Sequence, residues 1–308
     1  MKKRTKPDKI SQKNKEEKCK SKYPLILIHG VGWKDTKIAR YWFRIPGYLE
    51  KYGATIHVTN QDAWNSHHKR AEQVATEIET FIQKQQCDKV NLICHSQGSL
   101  DARWMIEKLK IKNKHGKLVP ANQVVASFTS IGGVHLGTPI ADIITGIIPR
   151  KLQPKFARGI DRLAKKIFHD KEPHSWEAGK ELGAQYMQEV FNKECPIVND
   201  SNGGIKDGIY YQSYATRMRI GAFLSLCPAD RILLIPWIIL KKMQGENDGL
   251  VSVESAKFGK FRGIKSGIFF GPGVGHLSQI NQPVGLVCFF NAKKWIAEIV
   301  ADLKNLGY

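Results

Sequence analysis

The sequence predicts an α/β fold built on a mostly parallel sheet covered by helices on both faces, and three observations carry that expectation. Short β-branched runs alternate with longer segments of helical period, which is the signature of right-handed βαβ units. At 308 residues and 42% apolar composition the chain can bury a substantial core. No internal repeat and no linker divides it into independent domains.

The expected strands, in chain order, are Leu25 to Ile28, Thr55 to Val58, Val90 to Cys94, Val124 to Ser130, Ile209 to Tyr214 and Gly267 to Phe270. Ala71 to Gln85 places Val74, Ile78, Phe81 and Ile82 on one helical face, and Ala292 to Leu306 does the same with Trp295, Ile296, Ile299, Val300 and Leu303. Both are expected to cover the sheet. Between Ile140 and Trp176 the alternation breaks. An apolar stretch, IADIITGIIP, is followed by a basic amphipathic segment with Phe156, Ile160, Leu163 and Ile167 on one face. This region, about 140–176, reads equally as a mobile lid over an apolar site and as a permanently docked helix. A second apolar run, Ile232 to Leu240, is too short to span a bilayer and reads as a buried helix or as a wall of an apolar cleft, burial leading.

The first 22 residues hold ten Lys or Arg against three acidic residues, and are expected to form a solvated, disordered tail ahead of one domain over 23–308. The tail lacks the apolar stretch of an export signal, and no run in the chain reaches membrane-spanning length. The expectation is therefore a cytoplasmic or unconventionally delivered protein. A net charge of +20 and a pI near 9.7 read either as a plain Lys-rich surface or as attraction to anionic partners, peripheral contact with an anionic membrane surface among them. Specific nucleic-acid binding is not expected, because no recognition motif accompanies the charge. Six scattered cysteines without a CxxC pair suggest reduced, mostly buried thiols rather than disulfides or zinc.

Candidate chemistry begins at Ser96, in VNLICHSQGSLDARWMI. There an apolar run ends at Cys94, a tight turn follows, and a helical pattern starts near Gln97. A nucleophile elbow requires that order, with small residues two before and two after the serine. Gly98 meets the requirement, and Cys94 meets it less fully. A serine needs an imidazole to take its proton, and the imidazole needs a carboxylate to fix its tautomer. Of the downstream histidines, only His276 follows a late expected strand, within the glycine-bearing loop FFGPGVGHLSQIN. For the carboxylate, Asp248 in QGENDGLVS leads, with Asp230, Asp207 and Glu246 as alternatives. The backbone N–H of Gln97, at a helix start, and that of Val31, in LILIHGVGWKD, are the expected oxyanion donors.

Taken together, His29-Gly30, HSQG at 95–98, NDGLVS at 247–252 and HLSQINQ at 276–282 resemble the bacterial triacylglycerol lipases of family I. The resemblance runs from about Tyr23 to the C-terminus. It implies an α/β-hydrolase fold with a six-stranded parallel core, a lid after HLGTP at 135–139, and hydrolysis of water-insoluble acylglycerols. It also implies a triad of Ser96, Asp248 and His276, with oxyanion donors Val31 and Gln97. Many members carry a structural calcium held by two aspartates. Here those positions read Leu226-Cys227-Pro228 and His276-Leu277-Ser278, so no cofactor and no family-type calcium site are expected. Glu254 stands at one position of the cysteine pair that some members oxidise.

The leading expectation is thus a serine hydrolase of lipid esters working through an acyl-enzyme on Ser96. A short-chain carboxylesterase or acyl-thioesterase is the alternative within the same chemistry. A non-catalytic membrane or polyanion binder on a hydrolase scaffold is the alternative outside it.

Overall fold

A computed structural model describes residues 17–36, 40–147, 151–170, 172–224, 228–267, 271–282 and 290–308. Its elements run β1 (Leu25–Ile28), α1 (Ile45–Lys51), β2 (Ile56–Val58), α2 (His67–Gln85), β3 (Val90–His95), α3 (Gly98–Lys108), β4 (Lys110–Lys112), β5 (Leu118–Pro120) and β6 (Val125–Ile131). There follow α4 (Pro139–Ile147), α5 (Gln153–Leu163), α6 (Ser175–Glu181), β7 (Ile205–Lys206), β8 (Ile209–Thr216), α7 (Pro228–Gln244), β9 (Lys260–Lys265) and α8 (Ala292–Asn305).

Six strands form a parallel sheet in the order β2-β1-β3-β6-β8-β9. The short β7 adds antiparallel to β8, and β4 with β5 makes a separate hairpin. The sheet separates two cores. Ile26, Ile28, Leu92 and Phe128 face α2 and α3, whereas Leu25, Leu27, Ile93 and Ile131 face α1 and α8. Successive strand residues point to opposite faces, so strands covered on both sides are mostly apolar, and their buried polar residues pair with one another, as Ser127 does with Asn91 and Gln212 with Thr129. That is why β1, β3, β6 and β8 coincide closely with the apolar runs of the sequence.

One strand was not expected, one expected strand falls outside the described residues, and the extent of the tail needs correction. Among the described residues the last parallel strand is β9, KFRGIK, a partly exposed basic edge with no apolar run to mark it. An edge strand is wet along one side, and lysines there discourage pairing with other chains. The expected strand at 267–270 lies outside the described residues beyond Gly267. The disordered tail does not extend to residue 22. Cys19 is fully buried in the core under α1 and α8, its N–H donates to the Tyr52 carbonyl at 2.7 Å, and the Lys22 N–H reaches the Tyr308 carbonyl at 2.8 Å. One small apolar thiol suffices to pin the segment, and burial pushes it up to about 11, so it stays protonated. Residues 1–16 lie outside the described residues. The four described cysteines, Cys19, Cys87, Cys94 and Cys195, are free, and only Cys87 is not fully buried.

Candidate active site

The chain leaves β3 at His95, turns through Ser96 and enters α3 at Gly98. Ser96 has φ of +54°, a left-handed conformation that costs a side chain about 1 kcal/mol or more and is held only by its surroundings. Two glycines provide the room. A Cβ on Gly98 would lie 2.6 Å from the His29 carbonyl oxygen, and one on Gly30 would lie 2.8 Å from the Ser96 Cβ. Cys94, two residues before the serine, points its side chain into the core under α3 instead, which is why a thiol is tolerated there. Gly98→Ala is expected to lower stability by roughly 1–3 kcal/mol, because a backbone carbonyl cannot yield as a side chain would. Urea unfolding of the two proteins checks it.

Asp248 and His276 meet although 28 residues separate them. His276 Nδ1 donates to Asp248 Oδ2 at 2.8 Å, and its backbone N–H donates to the Asp248 carbonyl at 2.8 Å. Oδ1 of the same carboxylate accepts from the N–H groups of Leu250 at 3.0 Å and Val251 at 2.8 Å. Gln279 Nε2 supplies a fourth donor, 2.6 Å from Oδ2 and 2.6 Å from Thr216 Oγ1. Four donors from two segments, 250–251 and 276–279, fix the carboxylate, and the carboxylate fixes the imidazole with Nδ1 protonated. Gln279 had no role in the sequence reading, although it lies within HLSQINQ; nothing in its local pattern distinguishes it from an ordinary loop glutamine. The competing carboxylates lie elsewhere. Asp207 is exposed in the turn between β7 and β8, Glu246 pairs with Arg217, and the Asp230 side chain is outside the described residues.

The His276 loop passes over the elbow, its ring centroid 4.5 Å from that of His95. His95 Nδ1 lies 2.7 Å from the Tyr41 hydroxyl, and burial, reinforced by His276, holds the His95 imidazole well below the usual histidine range. His95 is therefore a neutral wall beside the site. The Ser96 hydroxyl has no hydrogen-bond partner among the described residues, so no hydrogen bond joins serine and imidazole in this state. Apo contacts of this kind commonly tighten when substrate arrives.

The N–H groups of Val31 and Gln97 also have no hydrogen-bond partner among the described residues. Gln97 immediately precedes α3, where unpaired donors and the helix dipole favour negative charge. A cavity of about 350 Å³ opens at Ser96 and Val31, and its walls include Val134, Ile140, Ile144, Trp176 and Leu250. Ile140 and Ile144 come from α4, and Trp176 from α6, so the segment flagged as a lid roofs this space. Its far end is anchored, with the buried Asp170 carboxylate accepting from the N–H groups of Ala63 and Trp64 at 3.0 and 2.9 Å. Lys34, which follows the Val31 turn, sits 3.0 Å from Asp170 and 3.4 Å from Asp62.

The other histidines serve elsewhere. His135 stacks on Phe258 and lies 3.2 Å from Arg103 NH1, while His115, His169 and His174 are exposed. Among the described residues, three metal-ligating side chains come together at His67, His68 and Glu181, where His67 Nδ1 and its backbone N–H both donate to Glu181. Of the positions expected to have lost calcium ligands, Ser278 is buried and residues 226 and 227 are outside the described residues.

Residues 24–193 match the family model described as palmitoyl protein thioesterase. The chain is 28% identical over 282 residues to a triacylglycerol lipase of Vibrio cholerae, covering 88% of this chain and 83% of that protein. A triacylglycerol lipase of Pseudarthrobacter phenanthrenivorans is 32% identical over a shorter stretch, 42% of this chain and 38% of the relative. The crystal structure of Staphylococcus hyicus lipase superposes with a TM-score of 0.61 at 16% identity, over 93% of this chain and 98% of that one, which speaks for the fold alone. The fold is that of the α/β-hydrolases, and the resemblance to lipases read from the motifs holds along most of the chain. The chain belongs to the palmitoyl protein thioesterase family, stands among the lipases of the α/β-hydrolase superfamily, and is an ester hydrolase.

Proposed function

We propose that the protein hydrolyses long-chain acyl esters of lipids, triacylglycerol among them, through an acyl-enzyme on Ser96. The observation that carries the reading is one apolar cavity that joins the elbow serine, the Val31 turn and the space under the α4 and α6 roof. Ser96 Oγ attacks the ester carbonyl as His276 Nε2 accepts its proton, and the Val31 and Gln97 N–H groups hold the oxyanion. His276 then returns the proton to the leaving alkoxide. Water repeats the cycle on the acyl-enzyme, releasing the fatty acid. Asp248 keeps Nδ1 protonated and steadies the imidazolium. No metal is required for any of these steps, and the lack of a structural calcium site is part of the proposal. The high positive charge supports a peripheral encounter with anionic lipid surfaces.

The family model supports a second reading, in which the same residues cleave long-chain acyl-thioesters. The two share the acyl pocket and differ only in leaving group. Measuring kcat/KM along matched chain-length series of oxygen and sulfur esters tests both. Each methylene that enters the cavity is expected to raise kcat/KM by up to about fourfold until the pocket is full. A steep series on oxygen esters favours the lipase, and one confined to sulfur esters favours the thioesterase. A flat series on both, or a phosphonate probe that labels a residue other than Ser96, would overturn the proposal.

A further inference from the structure

α7 buries Leu233, Trp237 and Leu240 against the body, and its opposite face is also apolar. Ile232 is 69% exposed, Ile235 73% and Met243 55%, with Ile238 and Ile239 between them along the same side. The neighbouring turn adds Ile220, 79% exposed, and Phe223. A helix covering a water-soluble core ordinarily turns polar residues outward. Here the run that reads as buried in the sequence is buried on one side only. Single exposed apolar residues need no explanation, but a stripe of them along three turns does.

Charge distinguishes what would cover the stripe. From Arg231 to Gln244 the helix has no acidic residue, and Lys241 and Lys242 close its last turn with no ion-pair partner among the described residues. An apolar face rimmed by lysines matches an anionic lipid surface, where the isoleucines enter the acyl boundary and the ammonium groups stay at headgroup level. Position agrees. α7 packs against α4, and Ile144 of α4 lines the Ser96 cavity while remaining half exposed.

We infer that the outward face of α7, with the 220–224 turn, docks the enzyme on anionic phospholipid membranes and turns the roof of its acyl cavity toward the lipid. The inference gives the membrane-contact reading above a place on the molecule and does not depend on catalysis by Ser96.

The test is co-sedimentation of the full chain with phosphatidylcholine vesicles, with and without phosphatidylglycerol, alongside turnover of a soluble short-chain ester. Wild type and Ser96→Ala are expected to bind the anionic vesicles equally. Ile232→Asp with Ile235→Asp is expected to weaken that binding by roughly a hundredfold. Lys241→Ala with Lys242→Ala should weaken it by about thirtyfold at low salt and less at high salt. Soluble-ester turnover should be unchanged in both pairs, which also reports that they fold. Failure of the wild type to bind anionic vesicles would overturn the inference, as would full binding by the isoleucine pair, which would leave the basic N-terminal segment as the contact. Loss of ester turnover in Ser96→Ala with vesicle binding intact separates this inference from the hydrolase reading.

Discussion

Asp248→Asn is expected to lower kcat on a soluble ester by roughly ten-thousandfold with little change in KM. The carboxylate accepts from His276 Nδ1, Gln279 Nε2 and two backbone N–H groups, so all four neighbours are donors. An asparagine there must aim its amide either at the backbone N–H groups or at His276 and Gln279. If the amide faces His276, it donates to Nδ1 and leaves the proton on Nε2, the tautomer that cannot accept from Ser96. If it faces Leu250 and Val251, two turn donors lose their acceptor and the 247–252 turn loosens. The first arrangement removes the base, and the second keeps the tautomer but replaces the charge that steadies the imidazolium with a neutral amide oxygen, so kcat falls in both. Steady-state kinetics with thermal unfolding as a fold control decides it. A variant that retains wild-type kcat would remove Asp248 from the proposed mechanism and return attention to Glu246.

Much of this arrangement was legible in the sequence because the physics at those positions is local. Strands covered on both faces are mostly apolar, so β1, β3, β6 and β8 announced themselves. The elbow was legible because a left-handed serine between a strand and a helix demands Gly98 within two residues. Long-range features left weaker traces. β9 is a wet edge and carries lysines where an apolar run was sought. Cys19 looked like part of a charged tail, and its burial depends on α8, whose Ala297 carbonyl accepts from its thiol at 3.8 Å almost 280 residues away. Gln279 is defined only by its partners Thr216 and Asp248, which lie in other segments. α7 was read correctly on one side only, where Leu233, Trp237 and Leu240 are buried, while Ile232 and Ile235 stay exposed. Apolar composition indicates which residues avoid water but not whether protein or lipid covers them.

Acid is expected to unfold the protein steeply between neutrality and about pH 4, and His29 is the residue through which this is most directly tested. It follows β1 at the floor of the site and is fully buried. Its Nδ1 lies 2.7 Å from the Gly30 carbonyl and its Nε2 3.1 Å from that of Gln61. Burial, with the charge of Arg70 adding to it, pulls its pKa down to about 3 against the two carbonyls, which raise it. The unfolded chain takes up this proton near 6.5 and the folded chain only near 3. The unfolded state therefore binds more protons throughout that interval. The stability His29 provides is complete above 6.5 and is lost as pH falls toward 3. Between pH 7 and 4.5 the loss from this residue alone amounts to about 2.5 kcal/mol. His95 and His135, both fully buried and held well below the usual range by burial, act in the same direction. Asp101 opposes them. Burial outweighs its ion pair with Arg70 and raises it to about 6, so the folded state gains a proton there as acid is added, offsetting about 2 kcal/mol over the same interval. Three histidines against one carboxyl leave acid destabilising. His29→Asn preserves a donor toward the Gly30 carbonyl and removes the titration. Urea unfolding at pH 7 and 4.5 should show the variant losing about 2.5 kcal/mol less than the wild type. Equal losses in the two proteins would mean that His29 is hydrated or protonated in the folded state, and the acid sensitivity would then rest on His95 and His135.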